Sequence, residues 1–281
     1  MVGQRVLIDK LETLVQKQEF PRFSILCAPN GFGKKTLCRY IAKKAQLDIV
    51  FYENTMEELR KCMDLAYTYT QPIMIVLCDG DSMHISAKNS ILKLVEEPPL
   101  NTYIVLLSQS KELLLDTIRT RGPVFEFTQY SEQELQEYCE QVFPTKPKEV
   151  KEELCKICLC PGEILEYENV DTKALKDYCN LILDRVFDNE LSGVLKIPAS
   201  FFVKESKPEL KANNFPYTLV VNTLIAGCLD RIKQSVNISL YAGMMQILCK
   251  YRNILGRKGV STARALDNLF IEVWEVGHSR A

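Results

Sequence analysis

Ile73-Met74-Ile75-Val76-Leu77-Cys78-Asp79-Gly80-Asp81 decides the fold. An apolar run rich in β-branched residues goes unbroken into a pair of acids. A strand apolar on both faces is covered on both faces, which predicts a central strand of a parallel sheet with its polar tip at the carboxyl end. Open α/β sheets bind their ligands at that end. Downstream, Ser86 to Glu97 has helical spacing. Ile91, Leu92 and Val95 lie on one side, with Lys88 and Lys93 on the other, read as the solvated one. Pro98-Pro99 stops this helix, because proline has no N–H with which to continue it. A second buried strand, Tyr103 to Leu107, ends in Ser108-Gln109-Ser110. A short helix over Lys111 to Arg119 leads through Thr120-Arg121-Gly122-Pro123 to another strand, Val124 to Phe127.

Upstream, the apolar strand Phe23 to Cys27 feeds Ala28-Pro29-Asn30-Gly31-Phe32-Gly33-Lys34-Lys35-Thr36 and then a helix carrying Leu37, Tyr40 and Ile41. Strand, glycine loop and helix in that order are the setting of a phosphate-binding loop: glycines turn backbone N–H groups inward and the helix N-terminus adds a favourable dipole. The pattern G-x-x-x-x-G-K-[ST] aligns on Ala28, Gly33, Lys34 and Lys35. Lys35 stands where a hydroxyl would hold Mg²⁺, and an ammonium cannot ligate a cation. Thr36 comes one residue late, turned about 100° around the helix. Gly31, Gly33, Lys34, Lys35 and Thr36, with Asp79 at the tip of the central strand, therefore make a degenerate nucleotide site. Asp48 to Tyr52 reads as a further strand, and Thr55 to Tyr69 as a helix with Leu59, Cys62, Met63 and Ala66 on one face.

Asn89-Ser90-Ile91-Leu92-Lys93-Leu94-Val95-Glu96-Glu97-Pro98-Pro99, followed by Thr117-Ile118-Arg119-Thr120-Arg121, resembles the AAA+ subunits of sliding-clamp loaders. Those subunits carry a helix ending Leu-Glu-Glu-Pro-Pro and, some thirty residues on, Ser-Arg-Cys. Here Thr120-Arg121-Gly122 keeps the arginine and changes its neighbours. Val2-Gly3-Gln4 is similar to the Val-Gly-Gln that opens loader subunits near the adenine. The resemblance makes Asp79 the Walker B aspartate and puts Gly80 where active subunits have the glutamate that polarises water. It puts Ser108 or Gln109 at the sensor-1 position and Glu163 where a sensor-2 arginine stands. It implies no four-cysteine zinc module, because only Cys38 and Cys62 lie between the loop helix and the acidic strand.

Among loader subunits the altered loop is most similar to the bacterial delta-prime type of DNA polymerase III. The implied fold is α/β: a AAA+ P-loop domain with a five-stranded parallel sheet, a small helical lid and an all-α collar. The corresponding spans are residues 1–127, 128–170 and 171–281. The implied role is a non-hydrolysing scaffold whose Arg121 acts in trans as an arginine finger, with no required cofactor and weak ATP or ADP binding. The implied partners are gamma/tau-like and delta-like subunits in a five-membered ring, with the sliding clamp and primer-template DNA reached through the assembly. An active ATPase subunit using Lys34, Thr36 and Asp81, or a helicase-loader-like nucleic-acid-binding module, is the alternative. In the latter, Lys88 and Lys93 are the candidate DNA contacts.

Composition fits this class. The chain has 281 residues, 47% of them hydrophobic, enough for about two domains and sizeable cores. A net charge of −1 gives no bulk signal for nucleic acid. Acids outnumber bases over residues 1–170 and the reverse holds from 171 onward. No secretory leader is read at the start and no run is long enough to span a membrane, so the expected compartment is the cytoplasm. Eleven cysteines then read as reduced, buried thiols. Cys155, Cys158 and Cys160 are interleaved with Ile157 and Leu159, and no second pair follows at zinc spacing, so no metal site is expected. Ser131 and Glu134 form a capping box for a helix over Glu132 to Gln141; Pro147 to Leu159 is a second helix and Pro161-Gly162-Glu163-Ile164 opens a third. From Asp171 the chain reads as helical. Its stripes run through Leu175, Cys179, Ile182 and Val186, through Leu219 to Ile232, through Tyr241 to Leu255 ending at Gly256, and through Leu266, Leu269, Phe270 and Val273. A connection is read over Ser192 to Lys211.

Overall fold

A computed structural model describes residues 2–185, 215–255 and 260–278. By backbone proximity these fall into two compact units: the described residues up to 142 together with 160–165, and those of 143–159 and 166–281. Val186, the connection read over Ser192 to Lys211 and the helix end at Gly256 lie outside the described residues.

The first unit is built on a five-stranded sheet: β1 (Phe23–Cys27), β2 (Asp48–Tyr52), β3 (Ile73–Leu77), β4 (Thr102–Ser108) and β5 (Val124–Glu126). Its order is β2-β3-β4-β1-β5 and every pairing is parallel. The unbroken apolar run of β3 now has its reason. Ile73, Ile75 and Leu77 pack into one core layer with Leu59, Ile91, Leu94 and Ile118. Met74, Val76 and Cys78 pack into the other with Leu11, Leu37 and Ile41. Successive side chains alternate faces, so only a strand with helices on both sides is apolar at every position.

Helices α1 (Arg5–Gln16) and α2 (Lys34–Lys44) cover one face; α3 (Met56–Thr68), α4 (Ile85–Glu96) and α5 (Asp116–Arg119) cover the other. The single helix read over Lys111 to Arg119 is two short pieces. A 3₁₀ turn, Lys111–Leu113, is capped by the Ser110 hydroxyl, which accepts from the Glu112 N–H, and α5 follows. The capping box is present. Glu134 Oε2 accepts from the Ser131 N–H at 2.8 Å and Ser131 Oγ from the Glu134 N–H at 3.3 Å, opening α6 (Glu132–Val142). One reading is corrected: Lys88 is 7% exposed, and its Nζ lies 3.3 Å from the Asp81 carbonyl oxygen. It sits on the packed side of α4, unable to reach DNA, whereas Lys93 is exposed. Spacing alone missed this because a long lysine stem can follow apolar surface while its ammonium finds a backbone acceptor.

In the second unit, α10 (Tyr217–Lys233) packs against α7 (Lys148–Ile157), α9 (Thr172–Arg185) and α11 (Ile238–Arg252), and α11 packs on α12 (Thr262–His278). Leu219, Val220, Leu224 and Cys228 of α10 are buried, with Leu154, Leu175, Cys179 and Tyr241 from the helices around it. At the α11–α12 contact, Lys250 Nζ reaches Glu272 Oε2 at 2.8 Å and Tyr251 donates its hydroxyl to Glu272 Oε1 at 2.6 Å. Among the described residues no helix is long and apolar enough to cross a membrane, and no cluster of three or more His, Cys, Asp or Glu could hold a metal ion. Ten of the cysteines are buried and Cys249 is half-buried. Burial pushes the Cys38 and Cys62 thiols up to about 12.

Candidate functional site

The loop between β1 and α2 is the one that the sequence pattern reads as a phosphate-binding loop. Gly31 (φ 82°) and Gly33 (φ 88°) take left-handed conformations that suit glycine, and Gly33 caps α2 without a side chain. The side chains around it are turned onto the chain itself. Lys34 Nζ donates to the carbonyl oxygens of Ala28 and, at 3.0 Å, of Pro29. Burial holds its ammonium below the ordinary value against the opposing pull of Asp81 and Asp79. Lys35 Nζ donates to Glu53 Oε1 at 3.2 Å. Despite the opposing cost of burial, the bond to Glu53 raises Lys35 above the ordinary lysine value. Thr36 is exposed.

The acid end of β3 is closed in the same way. The strand stops at Leu77 and Asp79 turns left-handed (φ 50°) into a 3₁₀ turn, Gly80–Ser82. Asp81 is thus brought to β4 by a turn and not by a continued strand. Its Oδ1 accepts from the Gln109 N–H at 3.1 Å and lies 3.3 Å from Ser108 Oγ, the two candidates for the sensor-1 position. Gly80 is packed so closely that a Cβ there would lie 2.7 Å from Leu106 Cδ1 and 2.8 Å from Cγ, so a glutamate could enter only if the fully buried Leu106 moved.

The start of α8 (Pro161–Glu166) lies against the loop. The Gly162 N–H donates to Gly31 O at 3.0 Å, and a Cβ on Gly162 would lie 2.3 Å from Gly31 Cα. Cys160 Sγ lies 3.7 Å from Asn30 O. Ala28, Phe32 and Cys160 form a small cluster joined by Phe127 and Tyr130, and the Tyr130 hydroxyl donates to Phe32 O at 2.9 Å. Glu163 follows in the first turn of α8. Gln4 is buried, its Nε2 donating to Thr128 O at 2.7 Å and its Oε1 accepting from the Thr128 N–H at 2.9 Å. Around this loop, then, Lys35 stands where the pattern has a hydroxyl, Gly80 follows Asp79, and Lys34 donates to loop carbonyls.

Arg121 is elsewhere. It follows α5 and precedes β5, whose register puts Val124 beside Ile25 and Glu126 beside Cys27. The glycine loop leaves the carboxyl end of β1, so Arg121 lies at the amino ends of the strands, roughly 13 Å of strand away at about 3.3 Å per residue. Gly122 fixes this end: a Cβ there would lie 2.6 Å from Phe23 O. That close approach explains a glycine where the resemblance has cysteine. Arg121 Nη2 pairs with Glu96 Oε1 at 2.7 Å, the two side chains 48% and 40% exposed.

The sheet and helices of this site are matched by known proteins. The family model described as DNA polymerase III, delta subunit matches residues 38–131. The DNA polymerase III subunit gamma of Buchnera aphidicola subsp. Schizaphis graminum (strain Sg) is 26% identical over 156 residues, covering 53% of this chain and 40% of that protein. Part of the chain is thus similar to DNA polymerase III subunits, and the chain spans less than half the length of the gamma subunit that it matches. Two solved structures of Thermotoga maritima RuvB share the fold. One, a mutant, has a TM-score of 0.55 at 15% identity, covering 100% of this chain and 89% of that one. The other, described as a Holliday junction branch migration motor, has a TM-score of 0.52 at 16% identity, covering 99% and 88%. The fold is thus an α/β AAA+ domain with a C-terminal helical region. Several partners at this site had no signal in the sequence: Glu53 for Lys35, Leu106 behind Gly80, Gly162 on Gly31 and Glu96 for Arg121. Each contact joins residues from different elements.

Proposed function

We propose that this chain is a delta-prime-like subunit of a DNA polymerase III clamp loader, acting in DNA replication as a scaffold that does not hydrolyse ATP. The observation that carries the reading is the pairing of Lys35 with Glu53 together with Gly80 wedged against Leu106. Neither the metal nor the attacking water has a ligand of the right kind. Nucleotide, if bound, binds weakly, because Lys34 must first leave the Ala28 and Pro29 carbonyls. Arg121 serves a neighbouring subunit. It stands a strand length from its own loop and is half exposed, and a guanidinium there neutralises charge on a phosphoryl group in flight. Such fingers are worth about 10³–10⁵ in rate.

On this reading residues 1–127 are the AAA+ domain, 128–170 the lid and 171–281 the collar of a five-membered cytoplasmic ring. The ring is shared with gamma/tau-like and delta-like subunits and meets the sliding clamp and primer-template DNA. The test is ATP titration and turnover of the purified chain with Mg²⁺. No turnover is expected, and turnover abolished by Lys34→Ala would falsify the scaffold reading. A second reading, an active gamma-like ATPase using Thr36 and Asp81, is favoured by the match to a gamma subunit. It requires Asp81 to release Gln109 and Ser108, and the same titration decides it.

A further inference from the structure

Glu96 and Arg121 come from separate stretches with β4 between them, and the fold brings their charges to 2.7 Å. Both backbones are tied to the same frame. On the Glu96 side, α4 ends at Pro98-Pro99, the Thr102 N–H donates to Pro99 O at 3.0 Å, and the Ile104 N–H donates to Arg22 O at 2.7 Å. On the Arg121 side, its own N–H donates to Ile118 O at 3.1 Å and Gly122 is pressed onto Phe23 O. The neighbouring Arg119 is paired with Asp116 at 2.7 Å, so the two acids are divided between the two arginines. What remains to be fixed at Arg121 is the direction of its side chain.

A half-exposed ion pair adds little to stability. Arginine, however, carries large rotamer freedom, and its planar fork recognises oxyanions only when aimed. The pair engages Nη2 with one carboxylate oxygen, and the other guanidinium N–H groups are donors for a second anion. We propose that Glu96 is the positioning residue of Arg121: it holds the half-exposed guanidinium at the amino ends of the strands, away from its own glycine loop and ready for a partner's phosphate. The inference rests on reading Arg121 as a finger in trans.

The test uses the reconstituted loader, with ATP-hydrolysing gamma-type and delta-type subunits, clamp and primer-template DNA. Steady-state kcat and KM for ATP are measured, and ring occupancy is checked by native mass spectrometry. Glu96→Gln keeps shape and removes charge. Its kcat is expected to fall about tenfold with KM for ATP unchanged, since small losses of alignment cost rate in this range. Glu96→Asp keeps the charge on a shorter arm and is expected to recover to within about threefold of wild type. A purely structural role for Glu96 would not split kcat from KM or be rescued by aspartate. Wild-type kcat in Glu96→Gln, beside an inactive Arg121→Ala loader, overturns the positioning role and leaves the finger standing. A rise in kcat also overturns it, because Glu96 is then a restraint. Wild-type turnover in Arg121→Ala removes the finger itself, and this inference with it.

Discussion

At the carboxyl ends of the strands, three charged groups of the glycine-loop corner are taken up by the chain itself. Lys34 is held by loop carbonyls, Lys35 by Glu53, and Asp81 by the Gln109 N–H. At the amino ends, Arg121 meets one carboxylate on a pinned backbone and stays about half exposed. A group spent inward is lost to a ligand unless the fold opens; a group aimed outward from a rigid base is available without rearrangement. The contrast teaches that the two corners can be occupied independently, because they lie about a strand length apart: side chains turned inward at one leave the arginine at the other half exposed.

The comparison breaks most sharply at Arg121. Arg121→Ala is expected to lower ATP turnover of the reconstituted loader by about 10³-fold or more while leaving the melting temperature of this chain unchanged. Equal turnover would make the outward corner an ordinary surface. Next come the two glycines at close approaches, one at each corner. Gly122→Ala and Gly162→Ala each force a Cβ against backbone, at 2.6 Å from Phe23 O and 2.3 Å from Gly31 Cα. Overpacking of this kind costs about 1–3 kcal/mol, measurable by denaturant unfolding. Only Gly122→Ala should also slow the neighbour's turnover, since it shifts the base of Arg121; a similar rate loss in Gly162→Ala would erase the distinction. Gly80→Glu, which supplies the missing carboxylate, should destabilise by about the same 1–3 kcal/mol as Leu106 is displaced and give no ATP turnover while Lys35 remains.

The smallest effect belongs to the Lys35–Glu53 pair. Glu53→Gln is expected to cost less than about 1 kcal/mol, because the pair is half exposed. Its pH dependence has a definite sign. Lys35 is raised in the folded state, so the stabilisation is complete below the ordinary lysine value of 10.5 and is lost as pH rises through the folded-state value. The gap between wild type and Glu53→Gln should hold from neutral pH to about 10.5 and close above it, in unfolding curves taken across that range. A gap that closes near pH 8 would contradict the assignment.

Much of the domain was legible in the sequence. Period and run length are local properties, so the strands at Phe23–Cys27, Asp48–Tyr52 and Ile73–Leu77, the stop at Pro98-Pro99 and the capping box at Ser131 could be read directly. The altered positions Lys35, Gly80 and Gly122 were visible as well, because a missing hydroxyl or side chain is a fact of composition. The burial of Lys88, the turn that carries Asp81 to β4 and the break in the helix after Ser110 were not visible. The first two depend on backbone groups beyond the local helix or strand pattern, and the third on the cap that the Ser110 hydroxyl places on the Glu112 N–H.

By itself, then, the sequence determined the elements, their α/β class and the absence of particular ligands from the glycine loop. Only the tertiary structure decided where those groups point: Lys34 back onto its loop, Gly162 onto Gly31, and Arg121 onto Glu96. The reason is physical. Secondary structure follows from neighbours a few residues apart, whereas the aim of a charged side chain is set by partners that chain closure alone brings within a few ångströms.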